Sequence, residues 1–287
     1  MEINLTVFTV LGFMPNNKYL DLATVSKLFS RKYTPRVTAI DQHTSLNNMA
    51  EYFESGMPAT ENVPRKAAEM GRLDLFQLAV QQGCIISHKT MEVAANKGHL
   101  DIIKCIDNHT NAKLCPVCMC QGASRGGHLY ILKFLFPVDA WLSEQLAKML
   151  VRNAVLNGHL SVVKWVHEKG LPLDSALLST AATHGHFELV KYIHYHQTSP
   201  DNLGEHPISV VLHAALRGSL QTLVWLRERG YPWSNGICLI LARRGHLEAL
   251  KYARSNGCAW GALKIGSVGP VIDSDMRSFL VQDGCPV

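Results

Sequence analysis

The chain has 287 residues, of which 47% are hydrophobic and 18% charged, a balance that excludes a disordered polymer. Its 28 basic and 23 acidic residues leave a formal net charge of only +5, without any block of five or more like charges, so nucleic acid is not expected as a partner. No apolar run approaches the ~18 residues that span a bilayer, and no membrane association is expected.

The first 38 residues stand apart from the rest. Leu5–Met14 is apolar, but Glu2 precedes it where a secretory signal would be basic, and no small-residue cleavage site comes after it. The segment continues Leu11-Gly12-Phe13-Met14-Pro15, then Tyr19-Leu20-Asp21-Leu22-Ala23-Thr24-Val25-Ser26-Lys27-Leu28-Phe29. This resembles the F-box pattern, with a first helix ending near Phe13 and Pro15 and a second presenting Leu20, Leu22, Val25 and Phe29. The opening Leu-Pro of that family is missing and the first helix is short. The resemblance implies docking to the adaptor Skp1 of a cullin–RING (SCF-type) ubiquitin ligase through those apolar positions. The alternative is an N-terminal cap that shields the apolar face of the first repeat.

From about residue 39 to the end, one motif recurs nine times. Gly-His-Leu/Phe begins at Gly98, Gly127, Gly158, Gly185 and Gly245, with variants at Gly71 and Gly218 and weaker units anchored at Thr44 and Ile272. Successive starts lie 27, 27, 29, 31, 27, 33, 27 and 27 residues apart. A period of this size predicts a solenoid of stacked repeats rather than one globular core with a pocket.

With the motif Gly as position zero, positions −4 and −3 are small: Ala67-Ala68, Ala94-Ala95, Ala123-Ser124, Ala181-Ala182 and Ala214-Ala215, with Ala154-Val155 and Leu241-Ala242 as looser versions. Small side chains at a fixed place let two helices approach closely. The pattern predicts a first helix, a tight turn at Gly and a second helix. On the second helix the face recurs at +2, +5, +8 and sometimes +9, as in Leu160, Val163, Val166 and His167. A second Gly at +12 ends that helix in six units: Gly56, Gly83, Gly170, Gly230, Gly257 and Gly284. The other three carry Thr110, Asp139 and Gln197, and these precede the long intervals, so the insertions are expected after the second helix.

Ala181-Ala182-Thr183-His184-Gly185-His186-Phe187-Glu188-Leu189-Val190-Lys191-Tyr192-Ile193 and Gly245-His246-Leu247-Glu248-Ala249-Leu250-Lys251-Tyr252 resemble the heart of the ankyrin repeat. The Thr-Pro-Leu-His opening of that family is absent, and most periods are 27 rather than about 33. The resemblance implies an all-α, ankyrin-like helix-turn-helix solenoid of eight to nine repeats over residues 39–287, with short or missing β-hairpin fingers. It is similar to the degenerate arrays of protists and large DNA viruses, where endings like Gly257-Cys258-Ala259-Trp260 recur. The terminal units are atypical, as caps should be: Val268-Gly269-Pro270 before Ile272 is poor helix material.

Chemistry-bearing clusters are few. Cys115-Pro116-Val117-Cys118-Met119-Cys120 has a zinc-like C-x₂-C spacing, with His109 and His128 nearby in sequence, but lacks a second pair. In register Cys120 falls where Met91 sits, on a buried helix face, and the cysteines read better as small hydrophobes; a zinc-site enzyme is a minor alternative. The eight cysteines read as free thiols in a reducing compartment, cytoplasmic and also compatible with the nucleus. His99, His128, His159, His186 and His246 recur once per unit and read as structural ties between neighbouring turns, since a catalytic histidine would be singular. There is no nucleophile elbow, phosphate loop or paired-carboxylate arrangement, so neither catalysis nor a cofactor is expected.

Protein recognition is the expectation that remains. Positions −2 and −1 vary between units and are placed at the exposed end of each first helix, towards the concave side. They supply Lys97, Arg125, Arg217, Arg243 and Arg244 against one acid, Glu69, which fits an acidic patch on a protein target, or ordinary solvation of helix ends. Trp233 and Trp260 are either anchors for that target or packing against the next repeat. The leading expectation is a monomeric substrate adaptor, with the repeats holding a target and residues 1–38 docking on Skp1. The alternative is a plain ankyrin scaffold or competitive binder without a ligase link.

Overall fold

The structure, a computed structural model, describes residues 60–108, 115–136, 143–197, 207–268 and 273–286. The chain divides into two units, Met1–Ala59 and Thr60–Val287, and the described residues all belong to the second. The Thr44 unit and Gly56 lie outside them.

Among the described residues the fold is all-α. In chain order the helices are α1 (Asn62–Met70), α2 (Leu73–Gln81), α3 (His88–Lys97), α4 (Leu100–Asn108), α5 (Pro116–Gly126), α6 (Leu129–Leu135), α7 (Glu144–Asn157), α8 (Leu160–Glu168), α9 (Ser175–His184), α10 (Phe187–His196), α11 (Pro207–Arg217), α12 (Leu220–Glu228), α13 (Ile237–Arg243), α14 (Leu247–Ser255) and α15 (Ser274–Gln282). A 3₁₀ turn over Ile265–Ser267 precedes α15, so no first helix is built there from the described residues. The one extended pairing among the described residues is an isolated bridge between Leu173 and Gln197.

Each odd-numbered helix from α1 to α13 pairs with the even-numbered helix after it, and the hairpins pack in order. The first helices contact one another consecutively from α1 through α13, and second-helix contacts join α2 to α4, α10 to α12 and α12 to α14. Local sequence dictates the hairpin. The motif glycines from Gly71 to Gly245 all adopt left-handed backbone, with φ between 71° and 85°. At Gly158 the N–H of His159 reaches Ala154 O (2.8 Å) and the Gly158 N–H reaches Val155 O (3.4 Å), the Schellman closure that satisfies carbonyls a helix end leaves unpaired. The second glycine repeats this exit at Gly83, Gly170, Gly230, Gly257 and Gly284, with φ from 70° to 96°. Three first helices, α3, α7 and α9, begin on side-chain caps: Ser87, Ser143 and Asp174 accept from the N–H three residues on.

The core follows the repeat register. Every residue at −4 and −3, from Ala67-Ala68 to Leu241-Ala242, is buried. On the second helix the expected face is corrected. Position +2 is at best half-buried, and Leu220 is 37% exposed, whereas +4 is enclosed in every described unit: Leu75, Ile102, Ile131, Val162, Leu189, Thr222 and Ala249. A helix packed against both its hairpin partner and the next hairpins buries a wider face than a single stripe, and +4 lies beside +5 on it. Position +9 is mixed: Val80 and Phe136 are apolar there, whereas three units carry a polar side chain with a shared role. His167 Nδ1 donates to Leu171 O (2.9 Å), Arg227 Nη1 to Tyr231 O (3.2 Å) and Arg254 Nη1 to Cys258 O (2.6 Å). A polar +9 side chain thus covers the carbonyl four residues on, where the chain leaves the helix.

The most extensive helix contact is between α3 and α5. Glycine makes it possible. A Cβ on Gly122 would collide with the carbonyl oxygen of Glu92 and sit 2.9 Å from Asn96 N, so the two backbones touch with no side chain between them. This close approach also brings the N-terminal ends of the two helices together.

Candidate protein-interaction surface

The five basic residues expected to form a stripe all sit at the C-terminal ends of first helices, and all five are exposed. They are not equivalent. Arg125 Nη1 is 2.6 Å from Glu92 Oε1, and Lys89 Nζ holds the other oxygen of Glu92 at 3.1 Å, so this cation is already balanced. Arg217 lays its stem over Gly185: Nε would be 3.2 Å and Cγ 3.3 Å from a Cβ at that glycine. Glu69, the one acid in the row, is held by Lys66 at 2.7 Å, and that hydrogen bond is the main reason its carboxyl titrates below the usual range. The charge is also interrupted: between Arg125 and Arg217 the exposed −1 positions are Asn157 and His184. Arg217, Arg243 and Arg244 lie on consecutive hairpins towards the C-terminal end, with Lys97 and Arg125 as a smaller group three hairpins away.

Trp233 and Trp260 pack rather than project. Trp233 Nε1 donates to Asn256 O of the next hairpin (2.9 Å), and its ring meets Tyr252 edge-on. Trp260 lies under the guanidinium of Arg254, whose Cζ is 4.1 Å from the ring centroid. Both are half-buried. Phe13, Pro15, Leu20, Leu22, Val25 and Phe29, the F-box-like positions, lie outside the described residues.

The histidine ladder is as the register implies. His128, His159, His186 and His246 each direct Nε2 at the carbonyl oxygen of the −2 residue one unit back, namely Asn96 (2.9 Å), Arg125 (2.8 Å), Leu156 (3.1 Å) and Leu216 (3.4 Å). A carbonyl can only accept, so Nε2 carries a proton in each.

All eight cysteines are free thiols. Cys120 is buried on α5 at the position Met91 takes on α3, as the register predicts, and burial pushes its thiol up to about 12. Cys115 and Cys118 differ: both are only half-buried and their sulfurs are 2.7 Å apart. Burial, and then the neighbouring Cys115, push Cys118 up to about 11. The histidine beside them is neither of the two named from sequence. His109 lies outside the described residues, and His128 is engaged with Asn96 O. It is the exposed His88, first residue of α3, whose Nδ1 is 3.7 Å from Cys118 Sγ. Among the described residues these three form the one group of metal-ligating side chains with donor atoms mutually within 4.8 Å. His88 is ten residues before Gly98 and Cys118 nine before Gly127, so the register puts both at the starts of consecutive first helices but does not show that they meet.

No helix among the described residues is long and apolar enough to cross a membrane. No protein-family model matches the sequence, and no curated protein aligns with it significantly.

Proposed function

We propose that the chain is a protein-recognition module built as an ankyrin-like repeat array, and that it serves as the substrate-recognition subunit of an SCF-type ubiquitin ligase. The observation that carries the recognition reading is positional. In every described hairpin −4 and −3 are buried and small or apolar, while the adjoining −2 and −1 positions change chemistry from unit to unit and include the exposed Lys97, Arg125, Arg217, Arg243 and Arg244. A scaffold held constant beneath a variable surface is how repeat proteins bind other proteins. These basic residues favour a target with an acidic patch.

The ligase link rests on the F-box-like residues 13–29 alone. Tethering would raise the effective concentration of the target's lysines near the ligase, without chemistry on this chain. The test is calorimetric measurement of purified Skp1 binding to the full chain and to Leu22→Glu/Val25→Glu. Binding by the wild type and loss in the variant support the adaptor. No binding by either, with both folded, leaves a plain ankyrin scaffold or competitive binder.

A further inference from the structure

We propose that His88, Cys115 and Cys118 form a zinc site that clasps two neighbouring hairpins at the N-terminal ends of α3 and α5. The proposal is independent of the recognition and ligase readings. It begins with the close packing that Gly122 permits: with Glu92 and Gly122 in backbone contact, the residues one turn earlier on each helix, His88 and Cys118, face each other. Cys115 precedes Pro116, the first residue of α5, and so sits at the cap position with Cys118 one turn inside.

The donor set selects the metal. Two sulfurs and an imidazole nitrogen are soft and borderline ligands, which suit zinc and disfavour calcium or magnesium. Zinc binds thiolate at about 2.3 Å and imidazole at about 2.0 Å, so a tetrahedral site holds its ligand atoms about 3.5–3.8 Å apart. The His88–Cys118 separation of 3.7 Å already has that value. The sulfurs, at 2.7 Å, need to part by about 1 Å, within reach of a side-chain rotation of the half-buried Cys115. His88 is exposed, so an ion has a path from solvent. The nearby carboxylate of Glu92 is committed to Lys89 and Arg125. That leaves the fourth position to water or an exogenous ligand, and the ion's two charges are met by two thiolates whose protons go to solvent as the Zn–S bonds form. No other described cysteine has this setting: Cys84, Cys105, Cys120, Cys238, Cys258 and Cys285 are all buried.

The test uses the full chain, kept reduced with a phosphine and titrated with zinc and, as a spectroscopic stand-in, cobalt(II). One equivalent of zinc is expected, with a cobalt spectrum showing thiolate charge transfer and the visible bands of a tetrahedral ion. His88→Ala should weaken zinc binding at least tenfold, and Cys115→Ser/Cys118→Ser should abolish it. Zinc should raise the melting temperature of the wild type and not of the double variant. Because His88 is exposed, His88→Ala decides the matter even if the double cysteine variant does not fold. The proposal is overturned if the folded, reduced chain binds no zinc, if His88→Ala binds it as tightly as wild type, or if binding follows Cys84 or Cys285 instead. It is equally overturned if Cys115 and Cys118 only form a disulfide in air and the reduced pair takes up no metal.

Discussion

The imidazole of His128 lies over Gly98 of the preceding hairpin and donates from Nε2 to Asn96 O at 2.9 Å. Glycine and histidine are adjacent in the motif, yet each histidine works on the glycine of the unit before. A Cβ on Gly98 would stand 2.7 Å from His128 Cε1, and one on Gly158 would stand 2.8 Å from His186 Cε1. The same contact pairs Gly71 with His99, Gly127 with His159 and Gly218 with His246. The glycine is therefore required twice, by its left-handed backbone and by the ring that covers it. Where the next unit has Ser219 in place of histidine, the stem of Arg217 covers Gly185. Gly245, at the last full hairpin, has nothing within 4 Å.

That exception supplies a controlled comparison. Alanine at Gly158 (φ 85°) and at Gly245 (φ 74°) carries the same backbone penalty, about 1–2 kcal/mol. Only at Gly158 must the ring of His186 also move, with loss of a hydrogen bond worth about 1 kcal/mol. Urea unfolding should show Gly158→Ala as the more destabilised by about 1–2 kcal/mol. Equal losses at the two sites would mean that the histidine ladder contributes nothing.

What could be read from sequence was what recurs at one place in every unit. The small pair at −4 and −3, the left-handed glycines and the histidine ties all follow from register, and the structure places them accordingly. What could not be read lies between units. His88 meets Cys118 across two helices thirty residues apart in sequence, and neither belongs to the motif. The burial of +4 depends on which neighbour covers the outer side of the second helix. The polar cap at +9 reads as part of the apolar face because His167 and Arg227 fall on its period. The balance of Arg125 by Glu92 likewise needs two successive first helices in contact.

Gly122→Ala tests the close approach of α3 and α5. Its backbone is ordinary helix, so propensity alone predicts a gain of about 1 kcal/mol. The added methyl, however, meets the Glu92 carbonyl, a backbone atom that cannot swing aside. Overpacking of this kind costs about 1–3 kcal/mol, and more where backbones must separate, so net destabilisation is expected. A thermal melt at or above the wild-type midpoint would show that the helices are not held at this distance.

His194 gives the fold a sensitivity to acid. It is buried, and its Nδ1 is 2.9 Å from the hydroxyl of Tyr231, with Trp225 and Tyr195 packed edge-on around it. Burial, and then the nearby charge of Arg229, lower its pKa from the usual 6.5. A depressed histidine binds its proton more weakly folded than unfolded. Its contribution is therefore complete above about pH 6.5 and is lost as the pH falls from there through the folded value. Melting midpoints measured at pH 7.5 and 5.5 should fall further for wild type than for His194→Gln. Comparing the two cancels the other histidines; identical falls would remove His194 as a source of the acid response.

Arg254 joins the last hairpin to the terminal helix, and its three contacts allow its role to be divided. Nε is 2.6 Å from Asp283 Oδ2 on the residue after α15, Nη1 donates to Cys258 O at 2.6 Å, and the guanidinium covers Trp260. Both charged side chains are partly exposed, so solvent screens the ion pair and it contributes at most about 1 kcal/mol. The hydrogen bond to the carbonyl that leaves α14 adds about 1 kcal/mol, and stacking on Trp260 adds about 0.5–1 kcal/mol. Lysine keeps the charge but cannot present two donors in a planar fork or stack flat on the indole. Arg254→Lys should therefore recover less than half of what Arg254→Ala loses, and 0.5 M salt should narrow the gap between them by screening the part that lysine retains. Hydrogen exchange localises the effect: α15 amides should lose protection in both variants, while α1 to α12 remain unchanged, because the main helix contacts among the described residues run between consecutive hairpins. Loss of protection spread evenly along the stack would instead mean that the array unfolds as one unit and that Arg254 is not a local latch.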